Sequence, residues 1–87
     1  MIVRIQGDGQ YRLDDQAQAD LARLDDHLTA AAAAGQAQEA HDVLVQAITL
    51  VHTRGAILDA DDLSPSELIL PPLDASLDET RALLHAH

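Results

Sequence analysis

The chain has 87 residues, 15 of them acidic against five arginines and no lysine, for a net charge of −10, and it lacks cysteine, phenylalanine and tryptophan. That size bounds it to one domain over residues 1–87, with an aliphatic core and about 60–65% of its unfolded surface buried. The charge excludes nucleic acid as a direct ligand and opposes direct contact with an anionic membrane, while the lack of cysteine excludes disulfides and thiolate chemistry.

The opening stretch, MIVRIQGDGQYRL, reads as a β-hairpin. Taking Gly7-Asp8-Gly9 as a three-residue loop sets Val3 opposite Leu13 and Ile5 opposite Tyr11 on an apolar face. The same register sets Arg4 opposite Arg12 and Gln6 opposite Gln10 on a polar face. Gly9 then supplies the left-handed residue of the loop. A two-residue Asp8-Gly9 loop would set Ile5 against Arg12 and Arg4 against Leu13, mixing apolar and charged partners. An isolated hairpin is marginal, so other elements must cover its apolar face.

Asp14 and Asp15 end the hairpin and suit the start of a helix. Ala17, Leu21, Leu24, Leu28 and Ala31 follow at steps of four and three, a narrow seam that runs to Gly35 as the C′ residue. A second helix spans 37–54 and ends at Gly55, with Val43, Leu44, Ala47, Ile48, Leu50 and Val51 on a broader apolar arc. The short Gly-containing connection makes the pair an antiparallel αα-hairpin; one long helix through Gly35 is the alternative, at a cost of about 1 kcal/mol. After an acidic stretch at 59–62, Ser64-Pro65-Ser66-Glu67 reads as a capped single turn. Leu68, Ile69 and Leu70 form a short extended run that suits a third strand beside the hairpin. Ser76-Leu77-Asp78-Glu79 is a capping box opening a last helix, with Leu77, Leu83 and Leu84 available for docking. The fold class is α+β: a β-hairpin, an αα-hairpin and a short C-terminal helix (ββααα).

Reaction chemistry finds little support in this chain. An EF-hand loop beginning at Asp59 requires Gly where Ser64 stands and Glu where Leu70 stands. His41 and His52 lie about three helical turns apart and cannot share a metal ion, and no His-x-x-x-His pair exists. Gly7-Asp8-Gly9 precedes no helix and has no lysine to accompany it, so it is not a phosphate cradle. No nucleophile, base and oxyanion donor come together, so the chain reads as non-enzymatic, with no metal or cofactor. No apolar run approaches the length of a membrane span, which makes the cytoplasm the expected compartment.

Contact with another protein is the remaining function class. Like charges opposite one another on a strand pair are unfavourable, so Arg4 and Arg12 either meet local aspartates, at Asp14 or in 59–62, or meet an acidic partner. The helical seam at Leu21, Leu24 and Leu28 and the strand edge at Leu68, Ile69 and Leu70 are further candidate partner-binding residues. A second copy completing the thin core through that seam is the alternative use, giving a self-associating structural domain.

Together, MIVRIQGDGQYRL, the LARLDD of the first helix and DDLSPSELILPP followed by LDASLDETRALL resemble the phage-shock-protein-A-associated family, PspAA. The resemblance covers both ends and the helix pair between them. It implies a small accessory or adaptor protein without catalytic residues or cofactor, which binds a PspA-type coiled-coil protein of the envelope stress response. It also implies a cytoplasmic place, peripheral to the inner membrane only through that partner.

Overall fold

The computed structural model describes residues 1–59, 61 and 65–84, apart from the side chains of Leu83 and Leu84. In chain order the elements are β1 (Ile2–Ile5), β2 (Gly9–Arg12), α1 (Asp15–Ala33), α2 (Ala37–Arg54), β3 (Ala56–Ile57), β4 (Leu68–Leu70) and α3 (Leu77–Leu84). The strands form one sheet in the order β3-β2-β1-β4. The helices α1 and α2 pack as an antiparallel hairpin against one face of it.

The β1–β2 hairpin forms, in a register two residues from the expected one. Val3 pairs with Tyr11, Arg4 with Gln10, Ile2 with Arg12 and Ile5 with Gly9. Leu13 stands opposite Met1 instead of Val3, its N–H donating to Met1 O at 2.8 Å. The loop is therefore Gln6-Gly7-Asp8, closed by Asp8 N–H donating to Ile5 O at 3.0 Å. Gly7, at φ +81°, holds the left-handed position, and Gly9 does not. A shift of two leaves every side chain on its original face, so Val3, Ile5, Tyr11 and Leu13 are buried as expected. It removes the Arg4–Arg12 opposition and puts a neutral Gln10 across from Arg4.

Leu68–Leu70 does join the sheet, running parallel to β1, with Val3 beside Leu68 and Ile5 beside Leu70. The strand β3 adds to the other side, antiparallel to β2. Both hairpin strands are thus interior. Around Pro65–Glu67 the expected helical turn is absent: those residues are irregular, and Ser64 lies outside the described residues. Glu67 N–H instead donates to Ile2 O at 2.8 Å, which extends the β4 ladder and leaves no room for a helix there.

The helix ends follow the capping chemistry. Asp14 caps α1, its carboxylate accepting from Ala17 N–H at 2.8 Å, and Asp15 sits in the first turn. At the other end Gly35 takes φ +73°. Gln36 N–H donates to Ala31 O at 3.0 Å and Gly35 N–H to Ala32 O at 3.1 Å, the paired bonds of a Schellman closure. Gly35 therefore separates two helices and does not continue one. Because α1 has no basic residue in its last turn, α3 supplies one: Arg81 Nε donates to Ala32 O at 2.7 Å, placing a cation against the negative end of the helix. Ser76 caps α3, accepting from Glu79 N–H at 3.1 Å.

The core lies between the sheet and the helical hairpin. From α1 it takes Ala17, Leu21, Leu28 and Ala31; from α2 it takes Ala40, Val43, Leu44, Ala47, Ile48 and Val51. Leu24, Leu50 and Leu77 are partly buried against it. Ion pairs hold the outside of the hairpin together. Asp20 accepts from Arg54 at 2.6 Å and also from Arg23, and these bonds, that with Arg54 foremost, hold its carboxyl below the ordinary value. His27 and Glu39 meet across the helix turn at 2.8 Å.

Candidate interaction surface

The outer sheet face, turned away from the helices, is built from alternate residues of the four strands. Ile69, Arg4 and Gln10 lie side by side in one row, and Leu58 continues it, its N–H donating to Gln10 O at 2.9 Å. A second row runs Glu67, Ile2, Arg12, Ala56. Arg4 and Arg12 are diagonal neighbours, both exposed. Ser66 Oγ accepts from Gln10 Nε2 at 2.7 Å on this face.

The charge distribution singles this face out. Arg23, Arg54 and Arg81 have carboxylate partners. Among the described residues, Arg4 and Arg12 have none. Asp14, one of the expected neutralising groups, is committed to capping α1. Glu67 shares the face: it stands two strand spacings, nearly 10 Å, from Arg12, but diagonal to Arg4 across the β1–β4 pair. Among the described residues, then, two guanidinium groups stand on this face without a bonded carboxylate; of the expected 59–62 acids, Asp62 lies outside the described residues.

The structure sorts the other expected partner-binding residues by exposure. Leu21, Leu28 and Leu70 are fully buried and Leu68 nearly so. Their side chains are spent on this chain's own core, because α2 and the sheet close over the α1 seam and β1 takes up β4. They are not a surface on which a partner or a second copy can dock. Leu24 and Ile69 remain partly accessible, and Arg4 and Arg12 are exposed. Exposed Ile57, at 69%, and half-buried Leu58 stand at the β3 edge. The sequence hid them because two strand residues after a helix carry no alternation to read.

A second polar cluster was not foreseen. Asp8, in the hairpin loop, accepts from Tyr11 OH at 3.1 Å through Oδ1. Its Oδ2 lies 2.5 Å from His52 Nε2 on the last turn of α2. An ionised carboxylate only accepts, so the imidazole donates. The Tyr11 and His52 rings meet edge to face, with centroids 5.5 Å apart. The His52 hydrogen bond, foremost, draws the Asp8 carboxyl below its ordinary value of 3.8. Burial, and then the bond to Asp8, pushes the Tyr11 phenol above its ordinary 10.0. This cluster fastens the loop to the helical layer.

The two shifts act at opposite ends of the pH scale. Because the folded Asp8 is the stronger acid, its stabilising effect is complete above about pH 4 and fades as the pH falls through its folded value. The folded Tyr11 holds its proton more firmly, so its effect is complete below about pH 10 and fades above it. Asp8→Asn is expected to flatten the acid limb of a plot of melting temperature against pH while leaving the neutral region nearly flat. An unchanged acid limb would mean that the cluster does not hold the loop.

No group of three histidine or carboxylate side chains among the described residues is placed to hold a metal ion. No described helix is long and apolar enough to cross a membrane. Searches of curated proteins and of solved structures return no match for this chain. The family model of the PspA-associated protein, PspAA, matches residues 1–87. With the hairpin, the helix pair and the terminal helix all inside that match, the chain belongs to the PspA-associated protein family.

Proposed function

We propose that this protein is a non-enzymatic accessory subunit that binds a PspA-type coiled-coil protein and modulates its assembly or signalling in the envelope stress response. The family match over the whole chain carries this reading. Exposed Arg4 and Arg12, without an ion-pair partner among the described residues, lend it support. Leu24 adds a partly apolar patch on the helical side. Any membrane contact runs through the partner, because the charge of −10 opposes direct binding to anionic lipid. The protein itself remains cytoplasmic. Self-association through Leu21 and Leu28 finds no support, as both are consumed inside the chain.

The test is co-elution of the purified chain with its cognate PspA-type protein in size-exclusion chromatography with light scattering. A joint peak of summed mass is expected at low salt. Separate elution at every salt concentration would defeat the accessory reading.

A further inference from the structure

We propose that the outer face of the helical hairpin, turned away from the sheet, is a self-complementary contact on which a second copy of this chain packs, with α2 of the two copies antiparallel. This goes beyond the accessory reading and does not rest on it, since it concerns the chain alone.

The centre of that face is open and uncharged. Gln46, Thr49 and Thr53 are exposed and Val45 is 39% exposed. With half-buried Leu24 and Leu50 they line one shallow groove along α1 and α2. From Val43 to Thr53 the sequence has no Asp, Glu, Lys or Arg, although the chain as a whole carries a net charge of −10. Charge depleted at the centre and kept at the rim is the pattern of an interface core.

The two ends of the face differ in sign. Where α1 begins and α2 ends, Asp20 is bonded to both Arg23 and Arg54, so two guanidinium groups outnumber one carboxylate. Asp15 lies on the flank with Ala19 and Ala22, and Asp14 is engaged in capping α1. Near the connection between the helices stand Glu39, bonded to His27, and exposed Asp42. This polarity selects the occupant and its orientation. A two-fold axis that lies in the face and crosses the helices sets the Arg23–Arg54 end of each copy on the Glu39–Asp42 end of the other, with α2 antiparallel to its counterpart. An axis along the helices would join like ends, which is unfavourable.

Size sets the strength. Each long helix extends about 27 Å, and two of them at about 8–10 Å spacing offer about 500 Å² per copy. The total of about 1,000 Å² is at the lower limit for a specific contact. A contact of that size is weak, which leaves the face available to a coiled-coil partner when one is present.

The experiment is sedimentation equilibrium of the full chain alone at physiological salt, from about 20 µM to about 1 mM, a range suited to the weak end of the size scale. The average mass is expected to rise from that of a monomer towards that of a dimer. Gln46→Glu brings two carboxylates together at the centre and should weaken association at least about tenfold. Gln18→Glu makes the same charge change on the flank of α1 and should leave association unchanged. Both glutamines are exposed, and far-UV circular dichroism and melting temperature check the fold. Asp42→Arg should also weaken association, because it sets a cation against the arginine end. A monomer throughout the range would overturn the proposal, as would an equal effect of Gln46→Glu and Gln18→Glu. Stronger association of Asp42→Arg would mean that like ends meet, and would overturn the antiparallel arrangement. The accessory reading stands or falls separately, by co-elution with the PspA-type protein.

Discussion

Replacing Leu21 by alanine is expected to lower the unfolding free energy by about 3–5 kcal/mol, the range for a fully buried leucine whose surroundings cannot collapse. Leu21 has no exposed surface and ranks among the largest fully buried side chains. The chain has no phenylalanine or tryptophan to swing into the void, and its one tyrosine, Tyr11, is held by Asp8 and His52. A domain of this length has a total stability of about 4–13 kcal/mol, so the loss is a large share of the whole. The melting temperature should fall by at least about 12 °C. Leu24→Ala, one turn along the same helix but only partly buried, should cost far less. Urea unfolding of the two variants side by side decides the matter: equal midpoints would mean that the α1 seam is not the inner face of this fold.

Gly55→Ala should be the most damaging of the glycine substitutions, at about 2–3 kcal/mol. The cause is space, not backbone angle. Gly55 has φ −88° and ψ 153°, values that alanine adopts freely. A Cβ there, however, would stand 2.5 Å from Val51 O and 3.1 Å from both Leu13 Cδ2 and Tyr11 Cβ. The Val51 carbonyl is fixed because it accepts the Gly55 N–H at 2.8 Å, so the corner between α2 and β3 must shift away from the sheet. Gly9→Ala is the informative contrast. A Cβ at Gly9 meets nothing within 4 Å, and its φ is not positive, so a change within about 0.5 kcal/mol is expected. Thermal unfolding of both variants reads the difference. Were Gly9→Ala the worse of the two, the register would be the one with Gly9 in the left-handed position.

The elements were legible where a chemical cue is local. Asp14, Gly35 and Ser76 mark helix ends by capping, and the leucine seam of α1 points inward as its spacing demands. The hairpin register was not legible, because alternation of period two is blind to a shift of two residues. Only the choice between Gly7 and Gly9 distinguishes the two registers, and both are glycine. The irregular path at Pro65–Glu67 escaped for a related reason: Ser-Pro-x-Glu favours a helical turn locally, and the ladder bond from Glu67 to Ile2 outweighs it from a distance.

For the interaction surface, sequence reasoning put Arg4 and Arg12 on an exposed face, as they are, and counted as contact residues several leucines that the structure buries. Arg4 and Arg12 stand out in so acidic a chain whichever register holds. A leucine seam looks the same whether its partner is another chain or the next helix, and here it is the next helix. The meeting of Asp8, Tyr11 and His52 links residues 44 positions apart and leaves no trace in local pattern.

The parallel pairing of β4 with β1 also has a consequence during synthesis. Strand β1 is synthesised well before β4, yet its second neighbour is complete only when Leu70 has been translated. Until then the nascent chain carries an open strand edge, the kind of surface on which polypeptides join one another wrongly. Closing that edge requires a contact of long sequence separation and so comes late. The newborn chain is thus most in need of protection during the interval before Leu68–Leu70 becomes available to β1.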